Sequence, residues 1–500
     1  MQTVGAQWLL VHAANAAILV SLVQTADMLP DVLFAIVGGV LADTLDRRHL
    51  LIAVQIGLAI AGAALAALTI AGQISPALLL MFTFVIGSGS VFITPAYQSL
   101  VPELVPREDV PSAVQLNSIN VNIARAVGPA IAGILIAHFG VGADFALNAG
   151  TFLLYAIVVM LWRPSADLTP QLPERFFSAL RAGGRYVRYS PIVRRILLRA
   201  SLFLFPASAL WALLPLVASR RLELGPSGYG LLLGALGVGA IAGASVLSRA
   251  RARLSSNALV GLAGGVFGAA LVVVALLHST IGVVLVLIPT GMTWVWILAT
   301  LNTSLQLFLP AWVRARGLSI YQMVLFGAQG LGALVWGVVA NAFGLSIAFL
   351  VAAGLLAAGA TSTRLWPLLE TSTMDRSTVV RPDPVVAVEA ALNAGPVMVR
   401  VTYTIPPERE AEFKNAMIRV RESRLRTGAT EWGLFRDGEQ PEVFEEIFFV
   451  ASWDEHLRQH RERLTPADRD FEDAAKSLSE PPPRTWHLLP TNFDGRWKPV

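Results

Sequence analysis

The 500-residue chain contains no cysteine, which excludes disulfides, thiolate metal sites and a cysteine nucleophile. Charge is scarce: 14% of residues are Asp, Glu, Lys or Arg, against about 25% in a soluble domain. Lysine is confined to Lys414, Lys476 and Lys498 in the last fifth of the chain. No G-x-x-x-x-G-K-[ST] loop occurs, so the chain has no P-loop with which to hydrolyse nucleotide. Met1 opens into apolar residues without a basic n-region, and no cleavable signal is predicted.

What is abundant is apolar. Hydrophobic residues make up 55% of the chain and the mean hydropathy is +0.61, values that predict a polytopic membrane protein with soluble material attached. The pI of 9.6 invites a nucleic-acid reading. However, the arginines cluster between apolar runs, so membrane topology explains them and no nucleic-acid partner is expected. A membrane helix needs about 20 apolar residues. Such runs occupy 19–43, 49–72, 75–97, 113–139, 142–162, 196–218, 227–248, 256–278, 281–308, 317–342 and 345–366. Ahead of them, 1–11 is apolar but only half a span, which predicts a first helix that begins upstream of Met1.

Arginine bias sets the orientation. If the segment after the last run is cytoplasmic, Arg47, Arg48, Arg107, Arg163, Arg175, Arg181, Arg185, Arg188, Arg194, Arg195, Arg249, Arg251, Arg253, Arg314 and Arg316 all fall in cytoplasmic loops. Only Arg220 and Arg221 fall on the other side. A shift of 204 residues also superposes landmarks: Gly39 on Gly243, Arg47 on Arg251, Gly128 on Gly332, Gly133 on Gly337 and Gly140 on Gly344. The pattern predicts two six-helix halves with a substrate site near the midplane between them.

Three constellations carry candidate chemistry. The first is the charged turn Gly39-Val40-Leu41-Ala42-Asp43-Thr44-Leu45-Asp46-Arg47-Arg48. The second is the set of charges inside spans: Asp27 and Asp31 in the second helix and Arg125 in the fifth. Asp31 and Arg125 each lie about 12 residues from the helix end, roughly 18 Å deep, and Asp27 precedes Asp31 by one turn on the same face. Buried charges in a bilayer are costly. An Asp31–Arg125 pair that switches with protonation would couple proton entry to transport, and a static pair that orients two helices is the alternative. The third is Gly128-Pro129-Ala130-Ile131-Ala132-Gly133, suited either to a bending function or to ordinary close helix packing.

The Gly39–Arg48 turn resembles the loop signature of the major facilitator superfamily, G-x-L-A-D-[RK]-x-G-[RK]-[RK], with Thr44 and Asp46 departing from it. The Gly128–Gly133 stretch resembles the helix-five signature of exporters in that superfamily. Within it, the membrane part is most similar to the branch of the enterobactin exporter and related secretion effectors. The resemblance implies alternating access and a cytoplasmic gate in which Asp43 sits against the start of helix eleven, a turn cap being the plainer role. It also implies proton-coupled export of a small amphipathic compound, drug-like or siderophore-like, from the bacterial inner membrane. The alternatives are uptake by the same fold and a membrane-anchored enzyme. Neither a cofactor nor catalytic residues are expected.

Hydropathy collapses after Arg364. The expected segments are an amino-terminal transmembrane half over 1–162, a central loop over 163–195, a carboxy-terminal half over 196–367, a linker over 368–395 and a cytoplasmic α+β domain over 396–490. Strands are predicted at 397–405, 430–435, 443–452 and 485–489, with helices at 407–426, 453–463 and 466–478. That β-α-β-β-α-β order is ferredoxin-like. With the stretch Ser452–His460, it resembles dimeric domains of the antibiotic-biosynthesis-monooxygenase type. The resemblance implies a dimerising or sensing module, with an active enzyme as the alternative. His456 and His460 stand at i and i+4, a metal-compatible spacing. With no third ligand evident nearby, a solvated helix face is expected and no metal site.

Overall fold

The computed structural model describes residues 2–44, 46–104, 109–162, 183–369, 377, 379–384, 386–387 and 391–491. They divide into two compact units. The first comprises the described residues of 1–173, Ile196–Thr303 and Tyr321–Leu368. The second comprises those of 174–195, Ser304–Ile320 and those from Leu369 onward.

The first unit is helical. Its elements are α1 (Gln2–Leu10), α2 (Ala16–Thr44), α3 (Arg47–Ile70), α4 (Pro76–Leu104), α5 (Val110–Phe139), α6 (Val141–Leu161), α7 (Pro191–Leu216), α8 (Pro226–Arg253), α9 (Ser256–Leu276), α10 (Thr280–Phe308), α11 (Ala311–Phe343) and α12 (Leu345–Thr361). Among the described residues nine helices are long and apolar enough to cross a membrane. Their outward faces are aliphatic: Ile60, Ile70, Leu161 and Ile281 are each at least 66% exposed. Such a surface suits lipid rather than water. The half-span at the start is the short helix α1. One boundary differs from expectation, since α7 begins at Pro191 and not at 196, which makes Arg194 and Arg195 helical. Proline is preorganised for the first helical position, and Ser190 O accepts from Arg194 N there at 3.1 Å.

The 204-residue offset has a geometric counterpart. Gly140 joins α5 to α6 at φ 81°, ψ 169°, and Gly344 joins α11 to α12 at φ 89°, ψ 161°. Both lie in the region that glycine alone occupies without strain. Gly87 of α4 meets the backbone of Asp27 on α2, and Gly291, its counterpart in α10, meets the backbone of Leu236 on α8. Ala149 of α6 lies against Gly62 of α3, and Ala353 of α12 lies against Gly268 of α9.

The second unit contains a four-stranded antiparallel sheet of order β2-β3-β1-β4. Its strands are β1 (Val397–Thr404), β2 (Ala429–Arg436), β3 (Val443–Val450) and β4 (Arg484–Leu488). Helix α13 (Glu410–Thr427) links β1 to β2. Helix α14 (Trp453–Arg458), a π-turn (Gln459–Arg463) and α15 (Pro466–Lys476) link β3 to β4. Each predicted strand is present to within about two residues, and burial alternates along β1 and β3. Val397, Val399, Val401 and Tyr403 of β1 and Phe444, Phe448 and Val450 of β3 form the core with Phe413, Met417 and Val420 of α13.

A buried charge network crosses this layer. Arg424 of α13 donates to Glu446 of β3 at 3.1 Å and to Glu472 of α15 at 2.7 Å, and Arg381 reaches Glu472 at 2.6 Å. Burial works to raise the Glu472 carboxyl, but Arg424 and Arg381 outweigh it and bring its pKa down to about 2. Because the folded pKa is depressed, the stabilisation is complete above the usual carboxylate range and is lost as pH falls from about 4.5 towards 2. Arg424→Met leaves the buried Glu446 without its cation and Glu472 with Arg381 as its nearest one, and is expected to destabilise the sheet unit by about 3–5 kcal/mol at neutral pH, with a smaller penalty at pH 3. Hydrogen exchange of β1 and α13 in the full-length protein measures it. Equal protection in parent and variant at pH 7 would refute the network's role.

Candidate functional site

Helix α2 presents the stripe Ser21, Thr25, Met28, Val32 to α11, a helical spacing that keeps one face in contact. Opposite it α11 offers Gly337, Gly330 and Gly327. A Cβ at Gly337 would fall 2.9 Å from Ala17 O, and one at Gly330 would fall 3.4 Å from Met28 Cβ. Across this gap Thr25 Oγ1 donates to Gly330 O at 2.9 Å. The same construction recurs between α5 and α8. A Cβ on Gly133 would meet Gly230 Cα at 2.9 Å, and one on Gly230 would meet Pro129 O at 3.0 Å. Gly133 and Gly337, one repeat apart, thus make reciprocal contacts: α5 lies on α8, and α11 lies on α2.

Helix α1 adds a polar tie. Tyr229 Oη of α8 donates to Gln7 Oε1 at 2.6 Å, Gln7 Nε2 donates to Trp211 O of α7 at 3.4 Å, and Trp8 stacks on Tyr229 at 6.0 Å. On α2, all of these contacts but that of Val32 fall in the half of the helix remote from the Gly39–Arg48 turn.

The predicted residues fall in different places. Gly133 is packed, and Pro129 lies inside α5 with its carbonyl against Gly230. At Gly128 a Cβ would meet nothing within 4 Å among the described residues. Asp27 and Asp31 are half-buried on α2. Gly39, Asp43, Arg47 and Arg125 have helical backbones, and their side chains lie outside the described residues, as does the Asp31–Arg125 pair. Arg48 donates to Val159 O at 3.2 Å and Met160 O at 2.6 Å, pinning α3 to the carboxy-terminal turn of α6, where a cation is favoured. Asp46, a departure from the motif, caps α3 by accepting from His49 N at 2.8 Å.

Two groups were missed in the sequence. Asp144 is fully buried in the first turn of α6, and neither carboxylate oxygen has a hydrogen-bond partner among the described residues. Only a glycine at position 5 admits it, since a Cβ there would lie 2.6 Å from Asp144 Oδ2. A first-turn carboxylate reads as a helix-end charge, which hid it. The second is His487. It supplies the third histidine beside His456 and His460, correcting the expectation that no third ligand is near. Burial, with His460 and His487 alongside, pushes the His456 pKa down to about 3.

The profile of the family described as "Transmembrane secretion effector" matches residues 1–493. The Staphyloferrin A transporter of Staphylococcus aureus is 24% identical over 345 residues, 68% of this chain and 86% of that protein. The enterobactin exporter EntS of Escherichia coli O81 is 30% identical over 281 residues, 55% of this chain and 62% of that protein. The multidrug efflux pump Tap of Mycolicibacterium fortuitum is 25% identical over 358 residues, 69% of this chain and 86% of that protein. Among solved structures, the nucleoside transporter NupG superposes with a TM-score of 0.61 at 11% identity, covering 73% of this chain and 94% of its own. A bacterial homologue of the lysosomal transporter Spinster gives 0.56 at 16%, covering 73% and 93%. These likenesses show the fold of the membrane part.

The α5–α8 contact is testable without background thiols, because the chain has no cysteine. A Cβ at Gly234 would lie 3.8 Å from Ala130 Cβ, the mean Cβ separation of a disulfide at about 3.8 Å. The Ala130→Cys/Gly234→Cys protein is expected to cross-link under mild oxidation, and adding Gly133→Leu should suppress the cross-link. Equal yields in the two proteins would show that Gly133 does not set the approach.

Proposed function

Matched over residues 1–493, the chain belongs to the transmembrane secretion effector family of major facilitator transporters, and we propose that it exports a small amphipathic compound, drug-like or siderophore-like, by proton-coupled alternating access. The observation that carries this reading is the reciprocal pair of glycine contacts, α5 on α8 and α11 on α2, at one end of the bundle. Two six-helix halves, 1–162 and 196–367, closed at that end and separable there, are what alternating access requires. In this reading arginine bias assigns that end to the outside. Export then proceeds by parting these contacts while the Gly39–Arg48 turn closes, with Asp43 and Arg47 at the inner gate. The names of the relatives, two siderophore transporters and a drug efflux pump, support the substrate class. The family and its relatives are transporters, and a membrane-anchored enzyme is not favoured.

Asp27, Asp31 and Arg125 are the coupling group in this reading, with protons as the driving ion. The sheet order β2-β3-β1-β4 supports a ferredoxin-like, monooxygenase-type domain over 396–490, placed in the cytoplasm beneath the inner membrane and joined by the linker 368–395. Its sheet turns Met398, Ile447, Phe449, Trp486 and Leu488 away from its helices. Trp486 and Leu488 are 47% and 45% exposed, an apolar face suited to a second copy of the same domain.

Everted membrane vesicles test direction and coupling together. Export predicts substrate accumulation inside everted vesicles on imposing a proton gradient, and Asp31→Asn is expected to abolish the gradient-driven component while leaving substrate binding intact. Unchanged accumulation in Asp31→Asn removes the coupling role. Accumulation only in right-side-out vesicles makes the protein an importer.

A further inference from the structure

The sheet unit brings three imidazoles together that nothing in the transport reading uses. His456 and His460 lie on α14 and the π-turn that follows it. His487 comes from β4, paired opposite Val399 on the face of the sheet that carries the helices. One ring nitrogen from each lies within 4.8 Å of the others. The rings of His456 and His460 are 4.7 Å apart, and those of His456 and His487 are 5.0 Å apart. His456 is 1% exposed, and its Nε2 has no hydrogen-bond partner among the described residues.

The other nitrogens are held in a way that turns lone pairs inward. His456 Nδ1 faces Gln459 Oε1 at 3.3 Å. The orientation of that amide is itself set, because Gln459 Nε2 donates to Thr427 Oγ1 at 2.8 Å and Thr427 Oγ1 donates to Ser423 O at 2.8 Å. His460 Nδ1 faces Pro382 O at 3.2 Å. A carbonyl oxygen only accepts, so both Nδ1 atoms carry the proton and both Nε2 atoms are left with a lone pair. Donation from the distal nitrogen to a carbonyl is the usual outer-shell support of a metal-bound histidine. The neighbouring cations Arg424 and Arg381 are neutralised by Glu446 and Glu472, which removes most of their repulsion towards a bound ion.

We propose that His456, His460 and His487 form a binding site for a divalent first-row transition metal. An all-imidazole set suits zinc, cobalt, nickel, copper or ferrous iron and not magnesium or calcium. A tetrahedral ion with bonds of about 2.0–2.1 Å leaves its fourth position to water or an exogenous ligand. Ligand nitrogens then sit roughly 3.3–3.4 Å apart, which side-chain rotation of the half-buried His460 and His487 can reach. The site lies beside further contacts within the same unit. The π-turn that carries His460 also carries Arg463, whose guanidinium lies 4.9 Å over the ring of Trp312 at the start of α11. Arg381 N donates to His460 O at 2.9 Å, so the segment leading into the domain is tied to the same turn.

The test uses the untagged full-length protein in detergent, stripped with chelator. Titration with Co2+ is expected to give visible d–d bands of a four-coordinate nitrogen site at one ion per chain, displaced by Zn2+. His487→Gln and His460→Gln should each weaken Zn2+ binding by more than the roughly 10–100-fold that losing an outer-shell partner costs. His138→Ala and His278→Ala, outside the cluster, should change nothing. Because His456 is buried and its replacement endangers folding, Gln459→Leu serves as the second probe of that ligand and should weaken binding about 10-fold or more. Substoichiometric binding, or equal affinity in parent, His460→Gln and His487→Gln, would overturn the site. These readouts are independent of transport, so a failed export assay does not bear on them.

Discussion

The membrane part depends on backbone-to-backbone approach between helices that lipid does not press together. In a bilayer there is little hydrophobic drive for one helix to bury against another, so dispersion contact and interhelical hydrogen bonds carry association. Glycine makes both possible, because it brings main chains within reach of one another. Gly133 on Gly230, Gly337 on Ala17 and Ser21, and Gly330 beside Thr25 are three cases of this constraint. They involve no large interlocking side chains, and what they hold together can therefore part. A transporter needs an interface of that kind at each end in turn.

Arginine fills the complementary role inside each set of helices. Arg48 binds the last carbonyls of α6, and Arg199 of α7 donates to Gly359 O at 3.0 Å and to Ser362 O at 2.6 Å around the end of α12. Arg221 donates to Val274 O at 2.7 Å. Each satisfies carbonyls that a helix end leaves unpaired and places a cation at the negative end of the dipole. The residue whose loop distribution sets topology also locks the helix ends. That explains why a basic turn such as Asp46-Arg47-Arg48 carries structural duties beside any gating one.

Composition and periodicity made the elements legible. Apolar runs mark the helices, alternation marks the first strand, and the 204-residue offset pairs Gly140 with Gly344, whose backbone angles match. Side-chain partners were not legible, because they arise from helices far apart in sequence. The motif does not encode which helix Gly133 meets, and that depends on the position of α8. Asp144 is isolated by Gly5, which precedes it by more than a hundred residues. His487 joins His456 through the pairing of β4 with β1, a register that no local spacing encodes. The gate and the Asp31–Arg125 pair rest on side chains outside the described residues, and their support remains the motif and the helical spacing.

The two units solve the burial of polarity in opposite ways. In the membrane unit, polar contacts are mostly single hydrogen bonds to main-chain carbonyls, such as Thr25 to Gly330, which break at small cost. In the sheet unit, Arg424, Glu446, Glu472 and Arg381 form a linked set in which removing Arg424 strands the buried Glu446, a penalty of several kcal/mol.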